Sequence, residues 1–180
     1  MTRLVIDIDF LLFAAASLAE ETFITVTHRP TGFTREFDNR TAFYGHYKKK
    51  TDGWLGEQNL LFGNDFYVAS DFDIVDGQRP RPFKVKGEFD EPDTFLSPME
   101  GAQKAVLDNL EFICKKLGTE DYYGFTGRGK VFRHEIATLL PYKGNRSGTS
   151  PLILDELKKW AVDNHNISWV EGIEADDAVS

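Results

Sequence analysis

The pattern of apolar and polar positions changes character along the chain. Leu4 to Ile8 is a short apolar run that ends in Asp7-Ile8-Asp9, the pattern of a strand buried in a parallel sheet. Leu11, Leu12, Ala15 and Leu18 follow at helical spacing and predict a helix from Phe10 to about Glu20. Thr22 to Thr27 is β-branched and aromatic, Pro30-Thr31-Gly32 reads as a turn, and Phe33 to Phe37 reads as the returning strand of a hairpin. Residues 51 to 97 are rich in Gly, Pro, Asp and Phe and show little periodicity, so they are expected to form irregular connection. Regular pattern returns at Ser97-Pro98-Met99-Glu100, a helix start with proline in first position. Ala102, Ala105, Val106, Leu110, Ile113, Cys114 and Leu117 then make one stripe, stopped by Gly118, and Cys114 is expected to be a core residue on it. Asp121 to Thr126 is predicted as a strand with Gly127 to Lys130 as its turn. Pro151 opens a helix from Leu152 to about Asn164, and Ile167 to Val170 is a third strand. Strand, helix, strand, helix, strand in that order predicts an α/β sandwich with its acidic groups at one edge.

Composition narrows the setting. A chain of 180 residues with 41% hydrophobic content makes one domain, or most of one, with a sizeable core. A net charge of -8 argues against a bulk cationic surface wrapped by nucleic acid. It leaves room for a local basic strip: Arg128, Lys130, Arg133, Lys143, Arg146, Lys158 and Lys159 face only Glu135, Asp155 and Glu156 between residues 128 and 159. The one cysteine makes no internal disulfide, and no Cys/His cluster suggests zinc, so a reducing cytoplasm is expected. Asp7 and Asp9 come too soon for a signal-peptide core and no run reaches transmembrane length, so neither a targeting segment nor a membrane partner is expected.

Two acidic groups are candidates for chemistry. Gly172-Ile173-Glu174-Ala175-Asp176-Asp177 packs Glu174, Asp176 and Asp177 together, a costly arrangement unless a cation offsets the repulsion. The same acids in a first helical turn would also simply complement the macrodipole. Asp7 and Asp9 close the first strand, at the edge where open α/β sheets bind ligands; Asp7 is read as a ligand and Asp9 as a helix cap or as support behind the ligand. Oxygen-only acidic ligands suit magnesium or manganese, and Arg133, Lys143 and Arg146 suit phosphate, so acids and cations together imply a phosphodiester between them. Two ions about 4 Å apart would activate a water and stabilise the leaving oxygen.

Other patterns carry less. Gly124 to Lys130 fits the first seven positions of a phosphate-binding loop, but Val131 stands where the magnesium-binding Ser/Thr belongs. The patch Phe43-Tyr44-Gly45-His46-Tyr47-Lys48-Lys49-Lys50 suits either a track for single-stranded nucleic acid or an amphipathic helix with solvated lysines. His28, His46, His134 and His165 have no nucleophile partner suggested by spacing.

Val5-Ile6-Asp7-Ile8-Asp9-Phe10, Val131-Phe132-Arg133-His134-Glu135, Pro141-Tyr142-Lys143-Gly144-Asn145-Arg146 and Gly172 to Asp177, in that order, resemble the flap endonuclease and 5'-3' exonuclease family, most of all its bacteriophage members. The resemblance covers roughly residues 1 to 20 and 120 to 180. It implies a PIN-like three-layer α/β sandwich around a mainly parallel sheet, with residues 21 to 97 as a hairpin-containing insertion in a single, incomplete nuclease domain. It further implies Mg2+- or Mn2+-dependent hydrolysis of DNA, or of an RNA/DNA hybrid, near a 5' end or flap, in phage replication or recombination in the host cytoplasm. Asp7, Glu174, Asp176 and Asp177 would be metal ligands, directly or through water, with two ions in the completed site. Lys143 and Arg146 would act on the scissile phosphate, with Arg133 and Tyr142 also at the nucleic acid. The aspartate that many relatives carry after the strand ending at Phe125-Thr126 is replaced here by Thr126, Gly127 and Arg128. Relatives also continue to a second aspartate cluster, so a second polypeptide supplying further acids is expected. A non-catalytic nucleic-acid-binding or regulatory subunit of the same fold is the alternative.

Overall fold

A computed structural model describes residues 3–47, 50–63, 66–87, 89, 91–129 and 149–179. In chain order the described elements are β1 (Leu4–Asp7), α1 (Asp9–Leu18), β2 (Glu20–His28), β3 (Phe33–Phe37), α2 (Arg40–Tyr44), α3 (Trp54–Phe62), β4 (Phe72–Pro80), β5 (Phe83–Val85), β6 (Thr94–Leu96), α4 (Pro98–Leu117), β7 (Tyr122–Arg128), α5 (Leu154–Asn164), β8 (Ile167–Glu171) and α6 (Ala175–Val179). They fall into two compact units, Met1–Glu20 with Pro80–Ser180, and Glu21–Arg79. The division comes at residue 79, so residues 80 to 97 belong with the first unit.

The first unit is mixed α/β around a three-stranded parallel sheet in the order β1-β7-β8. Ile6 lies opposite Gly124, and Gly124 opposite Ile167. Ile6, Tyr122 and Ile167 turn to the side covered by α1, α4 and α5, where Leu12, Ala16, Val106, Leu110, Leu157 and Ala161 are buried together. The inward face of α1 is Leu12, Ala15, Ala16 and, just past its end, Ala19, spaced at helical period. Leu18, which the spacing puts on that face, is 58% exposed, because the helix ends there and Ala19 takes the inward position. Small side chains on this face let neighbouring helix axes approach.

Helix α4 forms as its sequence signals require. The Ser97 side chain accepts the Glu100 N–H while the Glu100 carboxylate accepts the Ser97 N–H, a reciprocal cap with Pro98 at the first position. Gly118 ends the helix in the left-handed conformation, φ 66°. The expected stripe buries only as far as Leu110. Cys114 is half-buried rather than a core residue, and Leu117 is exposed.

The second unit contains the expected hairpin, β2 antiparallel to β3 with Ile24 opposite Phe37, and β4 on the other side of β2. Ile24, Val26, Phe37, Phe43 and Phe72 form its core, with Trp54, Leu55, Tyr67 and Ile74 packed against them. Residues 51 to 97 are not the irregular connection their composition predicts, since α3, β4, β5 and β6 all lie within them. Their periodicity is weak for physical reasons. Helix α3 has no fully buried residue and anchors through Trp54 and Leu55, leaving Leu60, Leu61 and Phe62 exposed. Strand β4 carries Asp73 and Asp76, which pair with Arg29 and Arg40 at its surface. The amphipathic helix considered for residues 43 to 50 stops at Tyr44, where Gly45 turns out of it at φ 84°. Lys48 and Lys49 lie outside the described residues. Among the described residues, no helix is long and apolar enough to cross a membrane.

Candidate acidic site at the carboxyl edge of the sheet

Parallel strands end on the same side, so β1, β7 and β8 deliver their last residues to one edge. Asp7 ends β1, Thr126 to Arg128 end β7, and Glu174 follows β8 just before α6. A cleft of about 570 Å³ opens there, with Asp7, Asp9, Glu174 and Asp176 on its walls beside Arg128 and Lys158. Phe10, Phe13 and Ile173 add apolar surface. Of Gly124 to Lys130, weighed in the sequence as a phosphate-binding loop, the first five residues lie within β7, so that reading loses most of its loop.

The first two aspartates divide the work in an order the sequence did not suggest. Ile8 occupies the cap position of α1, and Asp9 is the first helical residue. It is Asp7 whose Oδ1 accepts the Asp9 N–H, at 2.8 Å. The Asp9 carboxylate reaches across to β7 and α5. Its Oδ1 accepts the Thr126 hydroxyl at 2.6 Å and lies 2.7 Å from Lys158 Nζ, while its Oδ2 accepts the Gly127 N–H at 3.1 Å. Lys158 also donates to the Gly127 carbonyl at 3.1 Å. A Cβ on residue 127 would sit 3.2 Å from Asp9 Oδ2, so glycine lets the backbone amide come up to the carboxylate. Asp9 is therefore fixed by three donors on two other elements.

Burial is the main reason the Asp7 carboxyl is held above its ordinary value; the charges of Asp9 and Asp176 add to it, against the Asp9 N–H and Lys158, which pull it down. Asp7 and Asp176, which are far apart in sequence, thus feel one another in the cleft. Asp177 does not line the cleft. Its Oδ2 accepts the Glu174 N–H at 3.3 Å, the local capping role that acids in a first turn often take. Its own N–H donates to Glu174 O and to Asp176 Oδ1.

Among the described residues, no group of three or more His, Cys, Asp or Glu side chains is gathered closely enough to hold a metal ion. Magnesium does not need such a cage: it keeps several waters and commonly binds through one or two carboxylates plus substrate phosphate. Asp7 and Asp176, oxygen donors sharing one cleft, fit that mode. Arg133, Tyr142, Lys143 and Arg146, which the resemblance puts at the nucleic acid, lie outside the described residues.

The sequence reading missed Thr126, Gly127 and Lys158. Thr126 occupied the position of an expected aspartate and was read as a loss, yet its hydroxyl is what reaches Asp9. Lys158 looked like one more cation beside Lys159. Its place four residues after Leu154 and three before Ala161, both buried, was the available signal that it lies at the margin of the inward face. Its side chain is 15% exposed.

A second hollow, about 750 Å³, shares Gly127, Arg128, Gly129, Leu154 and Lys158 with the first and adds Ser150, Asp155, Lys159, Asp163 and Trp169. The Arg128 guanidinium lies over the Trp169 ring, 5.5 Å from its centre. No protein-family model, curated protein or solved structure matches the chain.

Proposed function

We propose that this protein is a divalent-metal-dependent nuclease that hydrolyses DNA phosphodiesters near a 5' end or flap, on a PIN-like sandwich. The observation that carries the reading is the shared cleft, where Asp7 and Asp176 stand together and Arg128 and Lys158 line the same walls. Mg2+ or Mn2+ at Asp7 and Asp176, with Glu174 beside them, would supply a water activated for attack and charge stabilisation at the leaving oxygen. Asp9, bonded to Thr126, Gly127 and Lys158, ties the first residue of α1 to β7 and α5 beside those ligands. Arg128 and Trp169 offer a cation and a ring face to a strand leaving the cleft. Lys143 and Arg146 at the scissile phosphate, with Arg133 and Tyr142 nearby, are part of the proposal on sequence resemblance alone. DNA with a 5' flap is the proposed substrate, with an RNA/DNA hybrid as its variant, and phage replication or recombination in the host cytoplasm is the proposed setting.

The test is cleavage of a 5'-labelled flap duplex with Mg2+, Mn2+ or chelator, by the wild-type chain and by Asp176→Asn. Metal-dependent cutting lost in the variant is expected. Cutting that survives chelation, or that Asp176→Asn leaves intact, refutes the reading. A second reading, a nucleic-acid-binding subunit without hydrolysis, is favoured by one observation: Asp9 and Asp177 spend their carboxylates on internal hydrogen bonds. Salt-sensitive binding of the duplex without any cleavage selects it, and would direct attention to a second polypeptide that brings further acids.

A further inference from the structure

We infer that Lys158 takes the place of a second cation in the acid cleft, so that the cleft binds one divalent ion, at Asp7 and Asp176, rather than two. The inference rests on the reading of the cleft as a metal site and adds a count to it. Asp9, a carboxylate two residues from Asp7 on the same wall, would naturally share in a two-ion site. Here both of its oxygens are already engaged, Oδ1 by the Thr126 hydroxyl and the Lys158 ammonium, and Oδ2 by the Gly127 amide.

The ammonium is built in rather than draped over the surface. Lys158 leaves from the margin of the buried face of α5, its side chain is 15% exposed, and its Nζ is also tied to the Gly127 carbonyl at 3.1 Å. A neighbouring lysine with only solvent for a partner would be a weak compensator. One held at 2.7 Å to a carboxylate that is itself fixed by two further donors places its ammonium in the cleft that Asp7 also lines. A divalent ion at Asp9 Oδ1 would have to compete with the Thr126 hydroxyl and the Lys158 ammonium, one at Oδ2 would have to share that oxygen with the Gly127 N–H, and either would meet the repulsion of the ammonium. Lys158 is in this sense a positioning residue: it acts through Asp9 and sets how much positive charge the cleft still takes up.

The experiment counts ions rather than turnover. The metal-stripped full chain is titrated with Mn2+, and bound ion per chain is read by electron paramagnetic resonance of the free ion. One Mn2+ per wild-type chain is expected, and one for Lys158→Arg, which keeps the charge. Lys158→Met should take up a second Mn2+, because Asp9 then faces the cleft with an oxygen to give. Asp9→Asn/Lys158→Met should return to one, which a mere loosening of the fold would not do, and this variant leaves no unpaired carboxylate to threaten folding. Two Mn2+ on the wild-type chain, or one on a folded Lys158→Met chain, overturns the inference while the metal reading stands. No Mn2+ on any of the chains removes the metal reading and the inference with it.

Discussion

Replacing Thr126 with valine removes the one hydroxyl that β7 offers to Asp9 and leaves the branched shape of the side chain in place. Thr126 is fully buried, and its hydroxyl donates to Asp9 Oδ1 at 2.6 Å. A hydrogen bond to an ionised group contributes about 1.5–3 kcal/mol net. The lower end applies here, because the Asp9 side chain is 34% exposed, so water reaches it, and Lys158 still serves the same oxygen. A loss of about 1.5–2 kcal/mol is therefore expected. With a urea dependence of about 2 kcal/mol per molar for a chain of this size, the unfolding midpoint should fall by roughly 0.8–1 M. The transition is best followed by fluorescence of Trp160 and Trp169 in a Trp54→Phe background, so that the signal reports the unit that contains the cleft. Thr126→Ser keeps the donor and should lose clearly less than Thr126→Val. A valine chain as stable as wild type would refute the reasoning. So would equal losses for serine and valine, since the methyl group, and not the hydroxyl, would then be the part that matters.

The raised Asp7 carboxyl makes a pH-dependent prediction. Because its folded value lies above the ordinary aspartate value of 3.8, ionising it costs the native state. That cost is absent below 3.8, grows as pH rises through the folded value, and is complete above it. Asp7→Asn, which keeps an acceptor for the Asp9 N–H, should thus be more stable than wild type at pH 7 by a margin that shrinks towards pH 4; a margin independent of pH would count against this. Gly101 on α4 faces Phe83 of β5, and a Cβ there would come within 2.1 Å of the Phe83 Cβ. Gly101→Ala should therefore destabilise by about 1–2 kcal/mol, overpacking outweighing the gain of about 1 kcal/mol in helix propensity; a midpoint at or above wild type would show that α4 and β5 part without cost.

How much of this could be read from the chain depends on where each element gets its stability. Helix α4 was legible because Ser97, Pro98, Glu100 and Gly118 are local signals that all agree. Strands β1, β7 and β8 were legible because they are short apolar or aromatic runs bounded by turn residues, although β1 is less buried than its pattern predicts, with Val5 43% exposed. Strand β4 and helix α3 were not, because they are held by an aromatic cluster built from distant residues and by arginines on other elements. The convergence of Asp7 with Glu174 and Asp176 followed from the rule that parallel strands end on one side. The roles of Asp9 and Asp177 did not, because which hydrogen bond a carboxylate makes depends on distances of tenths of an ångström that no spacing encodes.

The order of strands also bears on how the chain assembles. In the sheet β1-β7-β8, the first strand pairs with one that arrives about 118 residues later, between Ile6 and Gly124. Closing so long a loop would be slow if the intervening chain were slack. It is not, because β2 and β4 are neighbours in their own sheet, and the chain leaves and re-enters at one place, where the Arg81 N–H meets the Ala19 carbonyl at 2.8 Å. Once residues 21 to 79 have folded, the tether between β1 and β7 is shortened by about half, which lowers the closure cost by roughly 0.6 kcal/mol. The segment that interrupts the sheet in sequence therefore serves as the clasp that lets its first strand find its partner.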